Sequence, residues 1–135
     1  MSPARRTGAL PCGRSEMVIL LARAAYGWLI LSAALHFAAD VVLHHVRGAP
    51  QPGAATSLYD GLHTAFSFGQ FSFGVLGLLV AWRAPGLVSE GPMLPLSALT
   101  GLGWLAMAFL FMHYWEPRFM VGTFCVLVCA AWLSR

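Results

Sequence analysis

The chain has few charged residues and no lysine. Only 10% of its 135 residues are Asp, Glu, Lys or Arg, and its basic residues are all arginines. Without lysine the chain has neither a Schiff-base catalyst nor a Walker-type phosphate loop, and the motifs GxSxG, GxGxxG and HExxH are also missing. Any catalytic chemistry would therefore depend on the histidines and carboxylates.

Cysteine is also scarce. The three cysteines, Cys12, Cys125 and Cys129, do not make a disulfide framework, and no CxxCH motif marks a covalently attached haem. Cys125 and Cys129 share one face of a helix because of their i, i+4 spacing. We interpret them as small packing residues.

Apolar side chains dominate what is present. Hydrophobic residues make up 59% of the sequence, and its mean hydropathy of +0.72 exceeds that of ordinary soluble domains. Helices of about 20 apolar residues cross a bilayer core of about 30 Å, and four apolar stretches meet or approach that length. They cover residues 17–46, 58–82, 93–115 and 118–133. We predict an all-α fold: an integral membrane four-helix bundle of residues 17–135, preceded by a disordered basic tail of residues 1–16.

The placement of the arginines predicts the orientation of the bundle. A cytoplasmic N-terminus puts six arginines inside and two outside, in agreement with the positive-inside rule. The inner six are Arg5, Arg6, Arg14, Arg23, Arg83 and Arg135, and the outer two are Arg47 and Arg118. We therefore expect both termini in the cytoplasm and a multi-pass protein of the inner (plasma) membrane, surrounded by lipid. No basic pattern indicates a nucleic-acid surface.

Helical phase predicts which side chains face the interior of the bundle. Polar and small residues in membrane helices face protein, because lipid offers no hydrogen bonds and small side chains permit close approach. The predicted inward faces are Ala25, Ser32, His36 and Asp40 in the first helix; His63, Ser67, Gln70, Gly74, Gly77 and Ala81 in the second; and Arg118, Gly122, Cys125 and Cys129 in the fourth. His113, in the third helix, lies on a less polar line.

The first two of these faces predict a polar pocket that opens to the outer side. Its members are His36, Asp40, His63, Ser67 and Gln70. A buried imidazole with a carboxylate one turn away can form a proton relay or orient a metal ligand. The alternative is a structural histidine bonded to Ser67, Gln70 or a backbone carbonyl of the neighbouring helix.

Two cofactor hypotheses use the same histidines. The spacing H-x3-D-x3-H aligns His36, Asp40 and His44 on one helix face, and together with His63 these residues are candidate metal ligands, although the spacing is far less specific than HExxH. A haem would need axial imidazoles from two helices, such as His36 with His63 or His113. A quinone headgroup is a further candidate occupant, and the sequence leaves the cofactor unknown.

One short pattern carries a family resemblance. Arg23-x3-Gly27-x4-Ser32 in the first helix, followed by three more helices in a short chain, resembles the small bacterial DoxX-like membrane proteins. The resemblance implies the four-helix membrane architecture. Some members of that family are linked to respiratory quinone or thiol oxidation chemistry, but His36 and Asp40 do not map onto its pattern.

Two functions remain open on this basis. The first is a non-catalytic accessory or assembly component that packs against other membrane subunits, or against itself, with structural histidines. The second is a redox or ligand-binding membrane subunit that holds haem, a metal or a quinone in the polar pocket. The small interior of four thin helices favours the first.

Overall fold

The structure, a computed structural model, describes residues 12–48 and 53–135 and is helical almost throughout them. Its elements are α1 (Cys12–Phe37), a π-helical turn (Ala38–Val42), α2 (Leu43–Val46), α3 (Ala54–Arg83), α4 (Pro85–Ser89), α5 (Met93–Phe111) and α6 (Glu116–Leu133). Four helical stretches are long and apolar enough to cross a membrane: Gly13–Val42, Thr56–Arg83, Met93–Phe111 and Glu116–Leu133. The prediction of an all-α fold with four long apolar helices is confirmed for these residues.

The first helical stretch runs from α1 through the π turn into α2. Phe37 and Leu43, which flank the π turn, both keep right-handed helical backbone angles, so the chain does not leave the helix there. The stretch begins at Cys12, before the predicted start. Residues 12–16, which belong to the predicted tail, are helical in the structure, and Arg14 and Glu16 among them are good helix formers. Residues 1–11 of the predicted tail lie outside the described residues.

Other helix boundaries also differ from the prediction. α3 begins at Ala54 after Gly53, several residues before the predicted start at residue 58. The interval between the predicted second and third helices contains α4, whose first residue is a proline, a favourable position because proline has the fixed φ of a helix. α5 ends at Phe111 rather than at residue 115, and residues 112–115 connect it to α6.

α1 is the central helix of the bundle. It packs against α3 and against α6, while α5 packs against α6. The buried Tyr26 of α1 fills the centre, where its hydroxyl group hydrogen-bonds to that of Ser97 in α5 at 2.8 Å. A Cβ added at Gly77 of α3 would lie 2.4 Å from the Tyr26 ring, so only glycine permits this approach of α1 and α3.

The buried faces of α1 and α3 are those predicted from helical phase. Ser32 and His36 in α1, and His63, Ser67 and Gln70 in α3, are all buried. Gly74 and Gly77 also face α1, as the small-residue spacing predicted.

The predicted inward face of α6 is wrong. Its buried residues are Pro117, Val121, Phe124, Val128 and Ala131. Cys129 is exposed and Cys125 is half-buried, so the buried face is rotated by about one residue, or about 100°, from the predicted line. The reason is the size of Phe124, which packs against Tyr26 in the core with ring centroids 6.3 Å apart. Apolar bulk outweighs the weak polarity of two thiols.

Arginine contacts identify the two ends of the bundle. At one end, Arg23 donates to the carbonyl oxygen of Ala81 in α3, and Arg135 donates to those of Val88 and Gly91. At the other end, Arg118 donates to the carbonyl oxygen of Met112. The first half of α1, the end of α3 and the end of α6 therefore lie towards one end of the bundle, and the four long helices alternate in direction.

Candidate functional site

His36 and Asp40 form the first half of the site, at the junction of α1 and the π turn. The Nδ1 atom of His36 lies 2.8 Å from Oδ2 of Asp40. The His36 side chain is only 4% exposed, whereas that of Asp40 is 22% exposed. The carboxylate therefore lies at the edge of the site, and the imidazole lies inside it.

His63 of α3 completes a three-residue group. Its Nδ1 atom lies 3.2 Å from Nε2 of His36, and the two rings stack at 28° with their centroids 5.2 Å apart. His63 is also buried, and Phe66 packs edge-on against the His36 ring. We call Asp40, His36 and His63 the Asp40–His36–His63 cluster.

The hydrogen-bond pattern assigns the protons within the cluster. A carboxylate can only accept, so Nδ1–H of His36 donates to Asp40. In a neutral His36 ring, Nε2 then carries a lone pair and accepts Nδ1–H from His63. Nε2 of His63 is left as an acceptor. With both rings neutral, this assignment places the proton of each imidazole on Nδ1 and the lone pair on Nε2.

Tyr114, on the connection between α5 and α6, joins the cluster from a third direction. Its hydroxyl oxygen lies 3.3 Å from Nδ1 and 3.4 Å from Nε2 of His63, so it is within hydrogen-bond distance of both ring nitrogens. With the proton of His63 on Nδ1, the hydroxyl group can donate to Nε2. Burial raises the pKa of the Tyr114 hydroxyl, and the nearby charge of Asp40 adds to the shift, so the phenol stays protonated. The Tyr59 ring packs against His63 with centroids 4.1 Å apart.

Both tyrosines lie outside the predicted pocket. Tyr114 falls within the predicted third helix, residues 93–115, but α5 ends at Phe111, so helical phase does not apply to Tyr114. The topology could have indicated Tyr114, because the predicted orientation places the α5–α6 connection at the same end of the bundle as Asp40 and His63. Tyr59 is one turn before His63 in α3 and lay just inside the predicted helix start.

The cluster has the donor set of a transition-metal site. One donor atom from each of its residues can be chosen so that all three lie within 4.8 Å of one another. Two ligands at about 2.0–2.1 Å from a tetrahedral metal are about 3.3 Å apart, close to the 3.2 Å between His36 Nε2 and His63 Nδ1. Of the four predicted metal candidates, three come together, and the side chain of His44 lies outside the described residues.

Ser67 and Gln70 lie deeper on the same face of α3. They are 3% and 2% exposed, and at helical rise they lie about 6 Å and about 10 Å further along the bundle than His63. Neither the Ser67 Oγ atom nor the Gln70 Nε2 atom has a hydrogen-bond partner among the described residues. All five predicted pocket residues thus face the bundle interior or its edge, but contacts between side chains unite only Asp40, His36 and His63.

The geometry does not favour the haem hypothesis. Axial ligands must lie on opposite faces of the macrocycle, whereas the His36 and His63 rings bond directly to each other. His113, the alternative partner, is exposed and is not part of the cluster.

A second histidine–carboxylate pair lies at the rim. His45 of α2 approaches Asp60 of α3, with 3.8 Å between Nε2 and Oδ2, and the His45 side chain is 60% exposed. At this distance and exposure the pair contributes little to stability.

Comparison of the chain with protein-family models, curated proteins and solved structures gave no match. The DoxX-like resemblance therefore stays a prediction. The function must be argued from the geometry of the cluster and from the helices that carry it.

Proposed function

We propose that the chain is a multi-pass protein of the inner (plasma) membrane with both ends of its helical domain on the cytoplasmic side. Four long apolar helices that alternate in direction support this proposal. So do the large apolar side chains exposed on the outside of the bundle, among them Leu20, Leu110 and Leu133. In water this surface would cost far more than it does in lipid.

We further propose that the Asp40–His36–His63 cluster binds one divalent transition-metal ion, which makes the chain a ligand-binding membrane subunit. The observation that carries the proposal is the convergence of three donors from two helices, two of them buried imidazoles, within 4.8 Å. Imidazole and carboxylate donors suit Zn²⁺, Fe²⁺ or Cu²⁺ rather than Ca²⁺ or Mg²⁺. Three protein ligands would leave one coordination position for water or a further ligand.

A second function, as a non-catalytic accessory or assembly component, has its own support. The hydrogen bonds from Tyr114 through His63 and His36 to Asp40 satisfy one another without a ligand, and they tie α1 to α3 and to the α5–α6 connection. In that role the cluster holds the bundle together, and the exposed apolar surfaces contact other membrane subunits or a second copy of the chain.

Metal titration separates the two functions. Protein purified in mild detergent and stripped with a chelator would be titrated with Co²⁺, whose visible spectrum reports bound nitrogen and oxygen ligands. We expect one Co²⁺ per chain in the wild type, no site in His36→Ala, and an intact site in His45→Ala, the matched exposed histidine. Equal Co²⁺ spectra from wild type and His36→Ala would overturn the metal site and leave the accessory function.

A further inference from the structure

A fourth donor atom lies beside the Asp40–His36–His63 cluster, in the phenol group of Tyr114. The Tyr114 oxygen is 3.3 Å from Nδ1 of His63, and that nitrogen is 3.2 Å from Nε2 of His36. Two ligands of one tetrahedral metal ion are about 3.3 Å apart, so both distances suit donors around a single ion. Tyr114 is therefore within reach of the coordination position that three ligands leave open.

The chain on both sides of Tyr114 is fixed by contacts. Met112 before it and Pro117 after it are both buried. Arg118, in the first turn of α6, donates to the carbonyl oxygen of Met112 at 2.7 Å and so ties the end of α5 to the start of α6. The approach of Tyr114 to His63 is therefore part of the packing of the bundle.

Metal binding would change the role of the Tyr114 hydroxyl group. In the metal-free protein the proton of His63 lies on Nδ1, and the hydroxyl group can donate to Nε2. An ion that binds Nδ1 uses the lone pair of that atom, so the neutral His63 ring then carries its proton on Nε2. His63 no longer offers a lone pair to the hydroxyl group, whose own oxygen lone pairs lie beside the ion.

Charge balance also favours a phenolate in the fourth position. The carboxylate of Asp40 supplies one negative charge, and the two imidazoles are neutral, so a divalent ion with these three ligands and a water keeps a positive charge. Uncompensated charge is costly at a buried site, and the His36 side chain is only 4% exposed. A phenolate from Tyr114 would make the complex neutral.

We propose that Tyr114 is the fourth protein ligand of the metal ion: its oxygen bonds to the ion, and its hydroxyl proton leaves to solvent. This inference rests on the metal site proposed for the Asp40–His36–His63 cluster. It makes that site closed, with all four positions filled by the protein. Closed sites have structural roles, whereas sites that catalyse hydrolysis keep a position for water.

A titration with Cu²⁺ tests the proposal on chelator-stripped protein in mild detergent. A phenolate bound to Cu²⁺ gives a charge-transfer band in the visible, and resonance Raman excitation in that band enhances the vibrations of the tyrosine ring. We expect the band in the wild type and its loss in Tyr114→Phe. Tyr59→Phe is the matched control and should keep the band, because Tyr59 also packs against His63, with ring centroids 4.1 Å apart.

A parallel titration with Co²⁺ separates this inference from the metal site itself. Loss of even an outer partner of a metal ligand weakens binding about 10–100-fold, so Tyr114→Phe should bind one Co²⁺ at least about tenfold more weakly than the wild type. A wild type that binds Co²⁺ but gives no phenolate band with Cu²⁺ would overturn the role of Tyr114 and leave the metal site in place. A band that persists in Tyr114→Phe and disappears in Tyr59→Phe would overturn it in favour of Tyr59. A wild type that binds neither ion would overturn both proposals.

Discussion

A double-mutant cycle on His36 and His63 separates a metal centre from a purely structural hydrogen bond. The cycle compares the free energies of unfolding of the wild type, His36→Ala, His63→Ala and the double variant. Interhelical hydrogen bonds in membrane proteins contribute about 0.6 kcal/mol on average and about 1.7 kcal/mol at most. For the buried 3.2 Å contact in metal-free protein we therefore expect a coupling energy of about 1 kcal/mol.

Metal should raise that coupling by a calculable amount. At a free metal concentration of 100 times Kd, binding to the folded state stabilises the wild type by about 2.7 kcal/mol. Each single variant and the double variant lack a ligand and gain nothing, so the coupling energy increases by the same amount, to about 3.7 kcal/mol. A structural hydrogen bond predicts no such increase.

Reversible unfolding in mixed micelles of mild detergent and SDS, with chelator or with Zn²⁺, measures all four proteins. The control cycle pairs His36→Ala with His45→Ala, an exposed histidine outside the cluster, and should give a coupling near zero. The same coupling of His36 and His63 with and without Zn²⁺ would refute the metal proposal. A coupling near zero under both conditions would refute the hydrogen bond as well.

Three further predictions concern the bundle. Gly77→Ala should destabilise the fold by about 1–3 kcal/mol, because the added Cβ would lie 2.4 Å from the Tyr26 ring. Gly69→Ala is the control and should be neutral or stabilising, because a Cβ there has no atom within 4 Å. Equal free energies of unfolding for the two variants would contradict the tight α1–α3 contact. Arg135→Ala should speed hydrogen exchange in α4, because Arg135 donates to the carbonyl oxygens of Val88 and Gly91, and unchanged exchange would show that α4 is held by packing alone. Two fusions after the last residue test the proposed cytoplasmic position of the C-terminus. A green fluorescent protein fused at this point should fluoresce, and an alkaline phosphatase fused at the same point should be inactive. The opposite pair of results would reverse the proposed orientation.

The sequence predicted the fold well because one strong signal controls it. Long apolar stretches define the helices, and polar residues among them are rare enough that their phase marks the buried side of α1 and α3. The buried face of α6 was predicted wrongly from phase, because thiols and a glycine have too little polarity to outweigh a large apolar side chain. Phe124 and its valine neighbours form the buried face of that helix, and Cys129 is exposed.

The candidate site was predictable in its members and not in its contacts. His36, Asp40 and His63 could be found from spacing and phase. The contact of Tyr114 with His63 could not, because α5 ends at Phe111, before the predicted end at residue 115. Helical phase also places Ser67 and Gln70 on the face of His63 without showing that the Ser67 Oγ and Gln70 Nε2 atoms lack hydrogen-bond partners among the described residues. That absence depends on the distance between helices, which is set by residues such as Gly74 and Gly77.

The π turn changes the direction in which the later residues of the first helical stretch point, and it strengthens the case for a site. In a regular helix, nine residues of rotation place His45 about 180° from His36, on the far side of the helix. A π turn contains about one extra residue, which sets back every later residue by about 100° and brings His45 to the α3 side, where it approaches Asp60. Such turns are rare, and they are frequently found at functional sites. Here the turn contains Asp40, the one cluster residue that is partly exposed, so the helix is irregular where a ligand would enter.

A deletion tests whether the π turn serves the site. Deleting one residue of the turn, such as Ala39, should abolish Co²⁺ binding without unfolding the bundle. Replacing His63 should leave the π turn itself intact. Retained binding in the deletion variant would show that the irregularity belongs to the fold alone.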